Sequence, residues 1–519
     1  MANKQNLIGI EQLLRDSRQS YSELGYMSEP FPYTTPAFLE AHARLMGLTV
    51  SSAKTAKVLE LGGSFGGNML TQAFLHQEAT FTVVDNSLDQ IEQGKKIVDE
   101  LGLQNITLQH KDILDIDADF GKFDYIIAHG VYSLVDDKVK AKLLDIFANN
   151  LEDNGVGYIS YNTYPGWHVM DEVRNLMFFA NRPKPDATQG EKVQRGKYVA
   201  SVLGATMYQY DDLKQRNSKL LSAFQKVVSQ PDYYVGHDHL EDTNDPIYFQ
   251  AMADQWQAHK LAYVCDADLT LSFVDMVDPE VSKTVAKLTD DRIGREQYVD
   301  FLLDTSFRKS IIVKAIDDNK DVLNQFKGGD GIPMNRLDQF HFRLLFDQSV
   351  VNTFPAGPAK EVFTQVLSKG GTFTMTDALD MVTLDEAGKA ALYRTVLEHM
   401  IRGGIRFSVE VDTTMPYVAG KSYVPTEYTN FAAALVLGEG QGSVIMGNYL
   451  NESAPYVNSI DVEIMSLLKE PQTDAALIKG LADMPIYETS HGKPRQMTAE
   501  EYLPIGLSHV EMLGFLKRK

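Results

Sequence analysis

The residues with the most chemical content form one run, Val58-Leu59-Glu60-Leu61-Gly62-Gly63-Ser64-Phe65-Gly66-Gly67-Asn68. An apolar stretch closes on an acid, turns through a glycine-rich loop and opens into a helical pattern. Glycine admits positive φ and lets a ligand come close to the backbone. The amides at the start of a helix face whatever binds there. A dinucleotide would set its pyrophosphate on those amides. S-adenosylmethionine would set its carboxylate there, with its cationic groups beside Glu60. The acid beneath the loop suits the second ligand. Gly62, Gly66, Gly67 and Asn68 are the candidate loop residues. Ser64 stands where either spacing would place a middle glycine, so the loop does not decide the matter alone.

Further acids follow in order. Val83-Val84-Asp85-Asn86 ends a second apolar run, and Asp85 lies 25 residues after Glu60. An acid there can accept both ribose hydroxyls, with Asn86 beside it. Lys111-Asp112-Ile113 follows a third run: Asp112 can accept an adenine amino group, and Ile113 offers an amide and an apolar face to the ring. A fourth run, Phe123-Asp124-Tyr125-Ile126-Ile127, leads to Ala128-His129-Gly130. A single such acid is usually a solvated loop residue. Three at successive strand ends point to one ligand.

The fifth run ends in Tyr161-Asn162-Thr163-Tyr164-Pro165-Gly166-Trp167-His168, which holds one of only two tryptophans. Aromatic faces hold a cationic amine or its methylated product, although such rings also pack cores. The expectation is a channel lined by Tyr161, Tyr164, Trp167 and His129, with Asn162 orienting a nucleophile and His168 or His237 relaying its proton. His237 and His239 lie two apart near acids, but a metal site needs more converging ligands than this segment offers, and no metal is expected.

The elements that must position these groups read as alternating strands and helices. Strand candidates are 58–61, 81–84, 106–109, 125–128 and 156–160, with helix candidates near 67–78, 87–101, 136–150 and 170–180. That alternation predicts an α/β, Rossmann-like doubly wound sheet. Residues 8–20 suggest a short amphipathic helix. Tyr21 to Pro36, dense in Tyr, Pro and Glu, suggests a lid or a packed leader. Residues 191–230 read as a helical insertion, 237–241 as a loop, and 261–264 as a late strand. Residues 276–400 read as mainly helical. The boundaries drawn are 1–275 for the core with its insertion at 190–235, 276–410 for a middle domain, and 411–519 for a C-terminal domain.

Composition narrows the partners. With 70 acids against 49 bases the net charge is −21, which repels phosphate backbones and disfavours nucleic acid. The single cysteine, Cys265, permits no internal disulfide and reads as a buried apolar residue. No run of about 18 apolar residues suggests a membrane span, and no leader is read at the start of the chain. The expectation is a cytoplasmic protein without membrane contact.

These residues together resemble bacterial class I methyltransferases that carry a methyltransferase regulatory domain, among them the outer-membrane-protein lysine methyltransferases. The likeness is carried by Tyr21 to Pro36, Leu59-Glu60-Leu61-Gly62 with Gly66-Gly67-Asn68, and Phe123 through Ser133. It continues in Tyr161 through His168, in 237–241, and in Gln297-Tyr298-x-Asp300-Phe301 with Phe307-Arg308. It covers about residues 20–310 well. The resemblance implies S-adenosyl-L-methionine as cofactor, a helical insertion that makes a homodimer, a winged-helix-like C-terminal domain, and a protein substrate presenting lysine. Ser64 departs from the family's usual glycine and is small enough to keep the loop. Three other readings stay open: a nicotinamide oxidoreductase, a small-molecule methyltransferase, and a non-catalytic cofactor-binding scaffold.

Overall fold

The computed structural model describes residues 29–317, 319, 332–412, 414–438, 443–448, 450–451, 456–488 and 495–519. The helix expected at 8–20 and the leader as far as Ser28 lie outside them.

Seven strands form the central sheet: β1 (Lys57–Leu61), β2 (Thr80–Asp85), β3 (Ile106–His110), β4 (Phe123–Ala128), β5 (Leu151–Asn162), β6 (Leu261–Asp266) and β7 (Phe307–Lys314). Their order is β3-β2-β1-β4-β5-β7-β6. The first five are parallel, and β7 runs antiparallel between β5 and β6. Both faces of such a sheet are covered, so its strands are apolar almost throughout: Val58, Leu59, Val83, Val84, Ile126, Ile127 and Ile159 are buried. The order reverses at β1, whose neighbours are β2 and β4. Crevices at such switch points, outside the carboxyl ends of the strands, bind ligands.

The sheet corrects one expectation. Residues 276–400 hold mostly helices, but β7 lies among them and joins the sheet. The core therefore does not end at 275; the sheet is complete only at Lys314. β7 was illegible because Phe307-Arg308-Lys309-Ser310 opens it with polar residues. Arg308 is fully buried there, held by Asp300 and Glu296 at 2.8 and 2.9 Å. A buried charge is tolerable only when paired in this way.

The insertion is a helical bundle of His168–Asn181, Gln189–Gln209, Asp211–Arg216, Ser218–Ser229 and Asp232–His239. A small three-stranded sheet (His341–Leu344, Thr372–Phe373, Ile405–Ser408) with helices Pro358–Ser368 and Glu386–Ile401 makes the middle region. Helices Thr426–Gly438, Ser459–Leu467, Asp474–Leu481 and Ala499–Met512, with a hairpin of Ile486–Glu488 and Arg495–Met497, make the C-terminal region. Its first helix packs on the flank of the sheet domain, where Phe431 stacks on Phe74 at 4.4 Å.

Candidate functional site

β1 delivers Glu60 at its buried end, and the chain then turns through Gly62 (φ 72°), Ser64 (φ 55°) and Gly66 (φ 86°) into the helix Gly67–Leu75. The loop has no room for side chains at two positions. A Cβ on Gly62 would meet Val131 at 2.6 Å, and one on Gly63 would meet the Glu60 carboxylate at 2.6 Å. Asn68, in the first turn of the helix, donates from Nδ2 to Glu60 Oε1 at 2.7 Å. The other carboxylate oxygen, Glu60 Oε2, is buried with no hydrogen-bond partner. Burial pushes the Glu60 carboxyl up to about 7, and the bond from Asn68 opposes that shift.

β2 ends beside this loop at Asp85. Ser64 N donates to Asp85 Oδ2 and Ser87 N to Oδ1, each at 2.8 Å. The carboxyl is raised by burial against the pull of these amides. Each oxygen keeps acceptor capacity for a further donor. Asn86 next to it is exposed, and its carbonyl pairs with His110 at 3.1 Å. β3 follows in register, Asp85 opposite His110, and brings half-buried Asp112 and Ile113 to the same rim. Asp112 caps a short turn by accepting from Leu114 N at 2.9 Å. The three acids thus stand at the same ends of three adjacent parallel strands. The glycine cradle, the unpartnered Glu60 oxygen and the further acids fit an adenosyl group carrying a cationic amino acid.

β4 ends at His129 across the switch point. His129 Nδ1 lies 3.0 Å from the Tyr158 hydroxyl and 3.1 Å from Ser160 Oγ. Burial, with Lys309 nearby, lowers this imidazole to about 3, so it is neutral. Its ring packs against Phe31 at 4.0 Å, and Tyr33, Tyr158 and Phe307 stand around it at 5.8, 5.8 and 6.1 Å. Lys309 Nζ lies over the Tyr33 ring, 4.5 Å from its centroid. Residues 29–36 are therefore packed against the crevice and the insertion: Phe31 N donates to Asn68 Oδ1 at 2.9 Å, and Tyr233 donates to Glu29 at 2.7 Å.

The channel expected from the Tyr161–His168 run is not assembled. Tyr161 points to the other face of β5, 1% exposed, bonded to Ser310 and edge-on to Trp256. Side chains alternate along a strand, and Tyr158 and Ser160, not Tyr161, share the face of His129. Asn162 is buried, its amide tied to Asn244 at 3.0 Å. Trp167 joins the apolar core shared with the insertion, parallel to His239 at 6.1 Å. Tyr164 and His168 stack at 4.1 Å in a separate cluster with Tyr248, and Tyr164 donates to Asp171. His237 is not on a loop: it is buried in the helix Asp232–His239, 3.4 Å from Glu241. Among the described residues no group of His, Cys, Asp and Glu is placed to hold a metal ion.

The aromatic residues around His129 were missed by sequence reasoning. Period two along β5 would have placed Tyr158 and Ser160 with His129. No local signal brings Phe307 or Lys309 there, because β7 arrives from a distant part of the chain.

Comparison with known proteins agrees with this architecture. Residues 52–198 match a methyltransferase domain, and residues 231–314 match a predicted methyltransferase regulatory domain. An uncharacterized protein of Rickettsia prowazekii is 29% identical over 95% of this chain and 81% of its own length. A second uncharacterized protein of that organism is 33% identical over 47% of this chain and 96% of its own. The structure of PKMT2 from Rickettsia typhi in complex with AdoHcy superposes with a TM-score of 0.77 at 20% identity, covering 95% of this chain and 99% of that one.

Proposed function

We propose that this chain, which belongs to the class I S-adenosylmethionine-dependent methyltransferases carrying a methyltransferase regulatory domain, N-methylates lysine side chains of a protein. The observation that carries the acceptor is the ammonium of Lys309 on the face of Tyr33, beside the crevice of the glycine loop. An aromatic enclosure that already seats one lysine head group suits another amine.

When bound, S-adenosylmethionine supplies an electrophilic methyl on a sulfonium, which an amine displaces in line to leave a thioether. The chain's residues provide positioning and polarity. Glu60 Oε2 accepts from the cofactor's ammonium, and the loop amides hold its carboxylate. Asp85 accepts the ribose hydroxyls, and Asp112 with Ile113 borders the adenine. His129, neutral and bonded to Tyr158 and Ser160, fixes the wall between the two halves of the site. Phe31, Tyr33 and Phe307 exclude water, which favours the neutral amine needed for attack. His129 is too weakly basic to take that proton.

The large regions beyond the sheet favour a macromolecular acceptor. We also read the insertion as the contact of a homodimer, its second copy covering exposed Phe179, Tyr198 and Val202. Among the described residues no helix is long and apolar enough to cross a membrane.

Transfer of labelled methyl into cell lysate, resolved by gel and mass spectrometry, tests this reading. Label on lysine in a protein band is expected. Label confined to small molecules would replace it with a small-molecule methyltransferase, and cofactor binding without any transfer would replace it with a scaffold.

A further inference from the structure

The C-terminal region grips the helix that follows the glycine loop through a buried residue. Asn451 is fully buried and sits in the left-handed region at φ 52°. Its Nδ2 donates to the Asn68 carbonyl at 2.7 Å and lies 3.1 Å from Asn68 Oδ1. Its Oδ1 accepts from Gln72 Nε2 at 2.9 Å, one turn further along the same helix. Asn451 thus grips the first turns of the helix that follows the glycine loop.

The grip is anchored on both sides. Asn451 N donates to the Asn448 carbonyl at 2.9 Å, and Asn448 Nδ2 donates to the carbonyl of Met512, at the end of the helix Ala499–Met512, at 3.1 Å. Gly447 lets the segment close up: a Cβ there would come 2.8 Å from Asn451 Cα and 3.0 Å from Pro30. Residues 31–34 and the C-terminal region therefore meet at Asn68. Asn68 uses its two N–H groups on Glu60 Oε1 and Thr34 Oγ1, and its oxygen accepts from the Phe31 amide. The amide orientation that serves Glu60 is the one in which Oδ1 faces Phe31 N and Asn451 Nδ2. A flipped amide would set N–H against N–H at both.

We propose that Asn451 is a positioning residue for the cofactor site: by fixing the Asn68 amide it holds Glu60 with one oxygen satisfied and the other turned to the cofactor, so that docking of the C-terminal region and cofactor binding favour each other. The inference rests on the cofactor assignment and not on the identity of the methyl acceptor. Coupling of this kind is reciprocal.

The test uses the full chain and S-adenosylhomocysteine. Asn451→Gly suits the positive φ and removes the side chain alone. Calorimetry is expected to show dissociation constants about tenfold higher for Asn451→Gly, the size of one lost buried hydrogen bond. Asn68→Ala should lose at least as much, and the double variant no more than Asn68→Ala, because the two act in series. Hydrogen exchange gives a second reading. The ligand should slow exchange at 446–448 and 450–451 and in the helix Thr426–Gly438, and that protection should vanish in Asn451→Gly. Binding by Asn451→Gly within twofold of wild type, additive losses in the double variant, or no protection of the C-terminal segment would each overturn the proposal. Wild type that fails to bind the ligand would overturn the cofactor assignment with it.

Discussion

The Ser64 amide donates to Asp85 Oδ2 at 2.8 Å, so the residue standing where a glycine is usual ties the loop to the carboxylate at the end of β2. Ser64 holds φ 55° to do so, a conformation that costs a non-glycine residue about 1–2 kcal/mol. Ser64→Gly should therefore fold with equal or greater thermal stability and keep its affinity for S-adenosylhomocysteine. Asp85→Ala removes the acceptor of two backbone amides together with the ribose contact, and its affinity should fall at least tenfold. Calorimetry on both variants checks this, and unchanged binding by Asp85→Ala removes the ribose assignment.

Glu60 sets a pH dependence with a definite sign. Its folded value of about 7 lies above the ordinary glutamate value of about 4.3. A raised carboxyl contributes stability below its unfolded value and loses it as pH rises through the folded value. The free protein should thus be destabilised from about pH 4.5 to pH 7, by no more than about 4 kcal/mol at completion. Glu60→Gln should melt increasingly above wild type as pH is raised from 5 to 8. Cofactor affinity should run the other way, since a cationic amino group requires the ionised carboxylate. S-adenosylhomocysteine should bind wild type more tightly at pH 8 than at pH 6, and Glu60→Gln should lack that slope.

The contrast between the two halves of the site shows what the chain reveals locally. Glu60, the glycines, Asp85 and Asp112 were legible because each follows directly on its own strand, and parallel neighbours align their ends. Tyr161 and Trp167 were misplaced because motif composition says nothing of facing: one residue along β5 exchanges the crevice for the core. Phe31, Phe307 and Lys309 reach His129 through tertiary packing, from segments about 100 and 180 residues away in sequence. The antiparallel β7 was hidden by Arg308, whose polarity is explained only by Asp300 and Glu296 folded against it.

That difference in facing separates stability from turnover. Tyr161 is buried among Trp256, Tyr132 and Ser310. Tyr161→Ala should cost about 3–5 kcal/mol, as for other large aromatic truncations, while Tyr161→Phe should leave methyl transfer within twofold of wild type. Tyr33 is only partly buried and lies over the crevice. Tyr33→Ala should lower methyl transfer at least tenfold with a small change in melting temperature. Thermal unfolding and labelled-methyl transfer measured together decide this. Full activity in Tyr33→Ala would remove the aromatic enclosure from the acceptor site.

The insertion carries its own expectation. Tyr198 and Val202 lie four residues apart on the helix Gln189–Gln209, hence on one face, and are 69% and 45% exposed. Phe179, on the neighbouring helix, is 65% exposed. Apolar groups this open commonly mark an interface. On the dimer reading, a second copy covers them at a two-fold axis, where the same patch meets itself. A charge placed there is then repeated across the axis and repelled by its own copy. Wild type should sediment as a dimer and Tyr198→Asp as a monomer at the same concentration, with S-adenosylhomocysteine affinity retained because the Tyr198 side chain is exposed on the insertion. Wild type that sediments as a monomer at tens of micromolar would dispose of the dimer, and a dimeric Tyr198→Asp would move the interface to another face.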